Sequence, residues 1–72
     1  MVTITINSNN WAEANEISDV LTLSNPDAKI IFGVKDSVTR TYLEVNGVSF
    51  LGREKIRQAL KENKISILIR YN

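Results

Sequence analysis

Hydrophobic residues near the start of the chain recur with a period of two. Val2, Ile4 and Ile6 alternate with threonines, and this alternation of β-branched residues predicts a strand with one buried face. The same period returns in three later segments, which span residues 28–35, 38–45 and 65–71. The pattern therefore predicts four strands.

Two segments between these strands have the longer period of a helix. Residues 11–23 carry apolar side chains every three or four positions, at Trp11, Ala14, Ile17, Val20 and Leu21. Asn10, with Glu13 three positions later, predicts the start of this helix, and Pro26 predicts its end. Residues 53–62 form a second predicted helix, with apolar residues Ile56, Ala59 and Leu60 and a left-handed stop at Asn63.

The predicted elements follow the order β-α-β-β-α-β. This order predicts an α+β fold of the ferredoxin-like, split βαβ type, with a mainly antiparallel sheet in strand order 4-1-3-2 and two helices on one face. Asn46-Gly47 favours a two-residue type I′ turn, which allows an extra short strand at 48–50 to fold back. Residues 1–72 are expected to form a single domain. Its sheet would contribute these core residues: Val2, Ile4, Ile6, Ile30, Phe32, Val34, Leu43, Val45, Ile65, Ile67 and Ile69.

The sheet face that no helix covers is the first candidate site. We expect it to carry Thr3, Thr5, Lys29, Ile31, Lys35, Arg40, Tyr42, Glu44, Ser66, Leu68 and Arg70. Four of these residues are basic and one is acidic. The set predicted to contact a partner is Lys29, Ile31, Lys35, Arg40, Tyr42, Leu68 and Arg70. A solvated antiparallel face would also carry such residues, because threonine, tyrosine and long charged side chains suit the pleat.

The predicted topology resembles that of RNA-recognition-motif domains, which bind nucleic acid on this open face. That resemblance implies base stacking on aromatic residues of the first and third strands, with phosphates held by lysine and arginine. It covers the topology and Tyr42 on the third predicted strand; the first strand has Thr3 and Thr5 at the matching positions. A single-stranded nucleic acid is therefore the alternative partner.

The second candidate surface is a basic stripe on the second predicted helix. Arg53, Arg57, Lys61 and Lys64 recur at spacings of four, four and three. Such a stripe can bind phosphates or an acidic protein. It is also typical of a solvated helix face, on which Glu54 and Glu62 reduce the local positive charge.

Two features of the first predicted helix, an acidic row and a tryptophan, can be explained without a metal site or a binding partner. Glu13, Glu16 and Asp19 form an acidic row, but a hard cation needs more converging oxygens than a helix surface offers, so no metal site is predicted. Trp11 is expected to pack over the end of the first strand near Ile6; a half-exposed anchor for a partner is the alternative.

Composition narrows the functional classes further. The chain has 72 residues, with no cysteine and no histidine, so disulfides, thiolate metal sites, histidine bases and thiol nucleophiles are excluded. It has no glycine-rich phosphate loop. We therefore predict no enzymatic activity and no cofactor. No signal-peptide pattern and no run of about 20 apolar residues occur, so we expect a cytoplasmic protein without membrane contact.

Charge is unevenly distributed along the chain. The net charge is +1, but residues 1–27 contain four acidic residues and no basic ones, whereas residues 28–72 contain all nine basic residues. A bipolar chain can steer a charged partner toward one end. Residues 29–35 would form an edge strand with apolar side chains on both faces, which favours a homodimer through that edge or the open face.

These features together favour a small binding or regulatory module that contacts another protein. Isoleucine and asparagine, with nine and eight residues, are abundant, and both have A/T-rich codons. A phage-encoded inhibitor or regulator of a host protein fits that composition. The alternative is a single-stranded nucleic-acid-binding protein that uses the open sheet face.

Overall fold

A computed structural model of the chain describes residues 2–65. Within this range the fold is α+β, with a four-stranded mixed sheet and two helices. The elements are β1 (Thr3–Ser8), α1 (Trp11–Ser24), β2 (Lys29–Val34), β3 (Tyr42–Val45), β4 (Val48–Leu51) and α2 (Arg53–Lys61). The strand and helix periods of the sequence predict the type of β1, α1, β2, β3 and α2 correctly, and β4 is the extra strand that the Asn46-Gly47 turn allows.

The described strands lie in the order β2-β1-β3-β4. β1 pairs in parallel with β2, so that Ile4 lies beside Ile30, and antiparallel with β3, so that Ile6 lies beside Leu43. β3 and β4 form an antiparallel hairpin. β2 lies at an edge of the described sheet, as predicted, although its neighbour is β1 rather than β3.

Both helices cover the same face of this sheet. The core cluster combines strand residues with residues of both helices, and its fully buried members are Ile4, Ile6, Ala14, Leu21, Leu43, Val45, Ile56, Ala59 and Ile65. Ile30, Phe32 and Val34 pack against this cluster from β2. The predicted core residues within the described range therefore lie on the helix-covered face.

The ends of both helices follow the predicted local chemistry. The Asn10 side chain accepts a hydrogen bond from the Glu13 backbone N–H at 3.1 Å, which is the predicted cap of α1. α1 ends at Ser24, before the Asn25-Pro26 step. Beyond α2, Asn63 adopts the expected left-handed backbone, with a φ of 56°.

The predicted split arrangement and its strand order are not confirmed, because β2 pairs directly with β1. Residues 35–41 do not form a tight turn into a neighbouring strand; they pass the carboxyl end of β1. The Lys35 N–H donates to the Ser8 carbonyl at 3.0 Å, and the Asn9 side chain donates to the Val38 carbonyl at 2.9 Å. These bonds carry the chain past β1, so β3 pairs on the opposite side.

The third strand is also shorter than predicted. It begins at Tyr42 instead of Val38, because the register that pairs Asn7 with Tyr42 leaves residues 38–40 beyond the end of β1. Arg40 therefore lies in the connection before β3, and its predicted place on a strand is wrong. Thr41 is buried, as expected for a residue two positions before the core residue Leu43 on an alternating segment.

The Asn46-Gly47 turn and the extra strand after it are confirmed. Asn46 and Gly47 both have positive φ angles, 50° and 80°, as a type I′ turn requires. The strand that follows, Val48–Leu51, pairs with β3 in the main sheet. The hairpin therefore forms between β3 and β4, whereas the predicted strand order 4-1-3-2 would also have placed the third strand beside the second.

The predicted last strand lies mostly outside the described residues, and so do Ile67 and Ile69. Within the described range, Lys64 and Ile65 have helical backbone, so a strand does not begin at Ile65. Ile65 is nevertheless buried in the core, as predicted.

Candidate functional site

A cleft of about 370 Å³ lies at the end of the open sheet face, beside the carboxyl end of β1. We call it the sheet-end cleft. Its lining residues are Asn7, Lys35, Ser37, Val38, Thr39, Arg40, Tyr42 and Leu51. They come from β1, β3, β4 and the connection between β2 and β3, so the fold assembles the cleft from distant parts of the chain.

Strand register explains why three of these residues meet. Asn7 lies opposite Tyr42, and Tyr42 lies opposite Leu51, so the three form one row across β1, β3 and β4. Their neighbours Ile6, Leu43 and Phe50 point to the core, and side chains alternate between the faces of a strand. The row must therefore point away from the helices.

Lys35 and Arg40 lie on the connection between β2 and β3. Hydrogen bonds fix the end of this connection that leads into β3. The hydroxyls of Ser8 and Thr41 share a buried hydrogen bond of 3.0 Å. The Ser8 hydroxyl also accepts from the Asn10 N–H at 3.1 Å, and the Thr41 carbonyl accepts from the Gly52 N–H at 2.8 Å. Residue 41 is thereby tied to β1 and to the start of α2, which positions Arg40 and Tyr42 on either side of it.

The cleft combines positive charge with apolar surface. Lys35 and Arg40 are exposed cations, and no carboxylate is among the described lining residues. Leu51 is 50% exposed, which is high for a leucine, and Tyr42 beside it is half-buried. The Asn7 amide nitrogen is buried and has no hydrogen-bond acceptor among the described residues. The cleft is therefore chemically suited to an anionic group attached to an apolar one.

A larger depression of about 850 Å³ adjoins the cleft, next to the start of α2. It shares Thr39, Arg40 and Leu51 with the cleft and adds Arg53 and Lys55. Its lining also includes the carboxylates of Glu13 and Glu54, which offset the added cations. We therefore take the smaller sheet-end cleft, which has no carboxylate among its described lining residues, as the candidate site.

The structure brings together only part of the residue set that the sequence predicts. Lys35, Arg40 and Tyr42 line the sheet-end cleft. Lys29 pairs with Thr3 at the opposite end of β1, about 20 Å from Lys35 at the usual rise along a strand. Ile31 lies midway along the edge strand β2, away from the cleft, and Leu68 and Arg70 are outside the described residues.

Five lining residues are not among the sequence predictions: Asn7, Ser37, Val38, Thr39 and Leu51. A signal for Leu51 was present, because Phe50 and Leu51 must point to opposite faces once this segment is a strand. Asn7 and the connection residues Ser37, Val38 and Thr39 have no such signal. Their contribution depends on where the connection crosses the end of β1, and this crossing is a property of the strand order.

The predicted basic stripe lies beside a second concave surface, between the two helices. This interhelical groove, of about 260 Å³, is lined from α1 by Glu13, Glu16, Ile17 and Val20 and from α2 by Arg53, Ile56, Arg57 and Leu60. Arg53 Nε lies 3.7 Å from Glu13 Oε1, which is an ion pair without a hydrogen bond. The structure thus places half of the basic stripe next to two residues of the acidic row.

The far end of the stripe is partly neutralised. Lys64 Nζ lies 3.3 Å from Glu62 Oε1, and both side chains are largely exposed. Hydrogen bonds from Gln58 and Lys64, together with the Lys64 charge, hold the pKa of the Glu62 carboxyl below its usual range. Lys64 is therefore less available to a partner than Arg57.

Trp11 does not lie in the core. It is 59% exposed, and its ring packs on Phe32 with the centroids 5.7 Å apart, not over Ile6. Among the described residues, no three acidic side chains are grouped so that they could hold a metal ion. No helix in the described part of the chain has the length and apolar character needed to cross a membrane.

Comparison of the chain with protein-family models, curated proteins and solved structures finds no match. Any functional inference must therefore come from the surfaces of the chain itself.

Proposed function

We propose that this protein is a small non-enzymatic binding module whose sheet-end cleft holds an acidic segment of a partner protein. The supporting observation is the convergence of Lys35 and Arg40 beside Tyr42 and Leu51 in one cleft, whose described lining residues include no carboxylate. A carboxylate of the partner would pair with the two cations, and an adjacent apolar side chain would cover Tyr42 and Leu51. Tyrosine and arginine are enriched at the residues that dominate such interfaces.

The same cations suit a nucleic acid, but the aromatic surface favours a protein. Base stacking needs exposed rings along the strand face, and Tyr42 is the only aromatic residue on the described open face. Thr5 and Ser49 occupy positions where a second ring would extend the platform. Leu51 at 50% exposure adds an aliphatic contact that a base does not require.

A regulatory role, in which binding blocks or recruits the partner, is consistent with this small module. Its sequence lacks the histidine and cysteine that most often serve as catalytic base and thiol nucleophile. The absence of cysteine is also compatible with work in a reducing compartment such as the cytoplasm. A phage-encoded inhibitor of a host protein remains one form of this proposal, supported by composition alone.

The experiment is selection from a random peptide library on the immobilised full chain, followed by affinity measurement on synthetic copies of the enriched peptides. We expect enriched peptides to carry aspartate or glutamate next to an apolar residue. Arg40→Glu and Tyr42→Ala should each weaken binding of these peptides by about tenfold or more, because each removes a central contact. Lys29→Glu is the matched control at the far end of the open face, and it should leave binding nearly unchanged.

A parallel titration with single-stranded oligonucleotides tests the alternative partner. Oligonucleotide binding through phosphates would fall steeply between about 50 mM and about 200 mM salt. The proposal is overturned if oligonucleotides bind with that salt dependence while no peptide is enriched. It is also overturned if peptides bind but ignore the changes at Arg40 and Tyr42.

A further inference from the structure

The two helices lie side by side and run in the same direction. β1 and β4 are each antiparallel to β3, so they are parallel to each other. Each helix follows its strand after a short connection and packs on the same core. Both helices therefore begin at the same end of the sheet, as the contact between Glu13 and Arg53 in their first turns also shows.

The interhelical groove has opposite charges on its two sides. α1 contributes Glu13 and Glu16, and α2 contributes Arg53 and Arg57, with apolar side chains between them. The two glutamates are three positions apart on α1 and the two arginines are four positions apart on α2, which corresponds to about 4.5 Å and about 6 Å along the helix axes. Each glutamate therefore lies at nearly the same position along the groove as one arginine. Arg53 is 67% exposed and only loosely paired, which leaves its donors available.

We propose that a second copy of this chain docks on the helical layer, which is the outer surface formed by α1 and α2. The two-fold axis of this dimer would run parallel to the interhelical groove. A rotation about such an axis places α1 of one protomer over α2 of its partner and keeps every residue at the same height. The acidic row of one protomer then faces the basic stripe of the other, twice in each dimer. An isologous interface must be self-complementary, and this charge arrangement meets that requirement.

Apolar contact would come from the exposed aliphatic residues of the same layer. Val20 lines the groove and is 42% exposed, and Leu23, one turn further along α1, is 86% exposed. Leu60 lines the same groove from α2. A monomer leaves these side chains in water, whereas the dimer covers them between its two helical layers.

The size of the layer sets the expected strength of the dimer. α1 has 14 residues and so is about 21 Å long, and two adjacent helices are about 20 Å wide. Each protomer thus offers a flat area of about 400 Å², below the roughly 800 Å² per partner of a standard interface. We therefore expect a weak dimer that forms as the protein concentration rises and dissociates in high salt.

Charge reversal at one facing pair provides the test. Glu16→Lys and Arg57→Glu each create two like-charge contacts in the dimer, so each variant alone should weaken self-association by about tenfold or more. An equal mixture of the two variants allows a dimer with one copy of each. In this mixed dimer, residue 16 of each protomer again faces a residue 57 of opposite charge. Sedimentation velocity should therefore show monomers for each variant alone and restored dimers in the mixture.

Matched controls separate this interface from other surfaces and from unfolding. Lys55→Glu on α2 and Glu44→Lys on the open face carry the same charge changes and should leave the dimer unchanged. Leu23→Ser should weaken it, while Leu51→Ser in the sheet-end cleft should not. Circular dichroism checks that every variant keeps its fold.

The proposal is overturned if the wild-type chain stays monomeric at the highest attainable concentration, which would leave the groove to a different protein. It is also overturned if the mixture of reversed variants does not recover the dimer, or if Leu51→Ser disrupts it. The helical layer and the sheet-end cleft share none of the tested residues. Failure of this dimer therefore leaves the proposed peptide binding untouched, and the reverse also holds.

Discussion

The buried hydrogen bond between Ser8 and Thr41 offers the sharpest test of how the connection at the cleft is held. Ser8 is fully buried and Thr41 is 8% exposed, so water cannot easily replace either hydroxyl. Their oxygens are 3.0 Å apart, although the residues are 33 positions apart in the chain. We consider Ser8→Ala, Thr41→Val and the double variant.

The two single changes should differ in their effect on the free energy of unfolding. Ser8→Ala leaves the Thr41 hydroxyl buried without this partner and also deprives the Asn10 N–H of an acceptor. An unsatisfied buried polar group costs about 1–3 kcal/mol. Thr41→Val keeps the side-chain shape, and the Ser8 hydroxyl retains its bonds to the Asn10 backbone. Its cost should therefore be at most about 1 kcal/mol.

The double variant lacks both hydroxyls, so no buried hydroxyl is left without its hydrogen-bond partner. It should consequently lose less stability than the sum of the two single variants, with a coupling of about 0.5–1.5 kcal/mol. For a domain of this size, a loss of about 2 kcal/mol lowers the melting temperature by roughly 8–16 °C. Urea unfolding of all four proteins gives the complete cycle.

Two outcomes would refute the reasoning about this bond. If the single effects simply add, the two hydroxyls do not depend on each other for their hydrogen bonding. If Thr41→Val costs more than Ser8→Ala, then Ser8, and not Thr41, is the residue left unsatisfied. In either case the bond would not be the feature that fixes residue 41 against β1.

Three further changes test other parts of the structure. Gly52→Ala should cost about 1–3 kcal/mol in urea unfolding, because residue 52 has a φ of 92° and a ψ of 154°, which an L side chain rarely adopts. Trp11→Ala should cost only about 1 kcal/mol in the same assay, since its ring is 59% exposed and makes one aromatic contact. Glu62→Gln should slightly reduce stability near neutral pH. Because the pKa of Glu62 is lowered from 4.5, its stabilising contribution is present above that pH and is lost as the pH falls through the lowered value, so wild type and variant should converge in acid titrations.

Local chemistry in the sequence predicts the individual elements well. The alternation around Ile4 and Ile6, the cap at Asn10 and the turn at Asn46-Gly47 each depend on residues close together in the chain. Each of these three sequence patterns fits one kind of local structure better than the others: a strand, a helix start and a hairpin turn, respectively. The same alternation correctly assigns Thr41 to the inside and Tyr42 to the outside of the sheet.

The strand order could not be obtained in the same way. Residues 35–38 do form a turn, with the Val38 N–H donating to the Lys35 carbonyl at 3.2 Å, and this turn fits a hairpin just as well. The direction of the chain beyond it depends on the Asn9 and Ser8 side chains, which bind residues about thirty positions away. No periodicity records such contacts, so the sequence prediction spreads the candidate residues along the whole length of the open face.

The strand order matters because it assembles the sheet-end cleft on the face opposite the helices. With β1 and β3 at the centre, both helices cover one face, and the row of Asn7, Tyr42 and Leu51 emerges on the other. A dimer through the helical layer would therefore turn its two sheet-end clefts outward, on opposite sides of the assembly. Two outward clefts can engage two acidic segments of one partner at once, and the second contact then benefits from a raised effective concentration. Weak binding at each cleft and a weak dimer would thus reinforce each other without any additional contact.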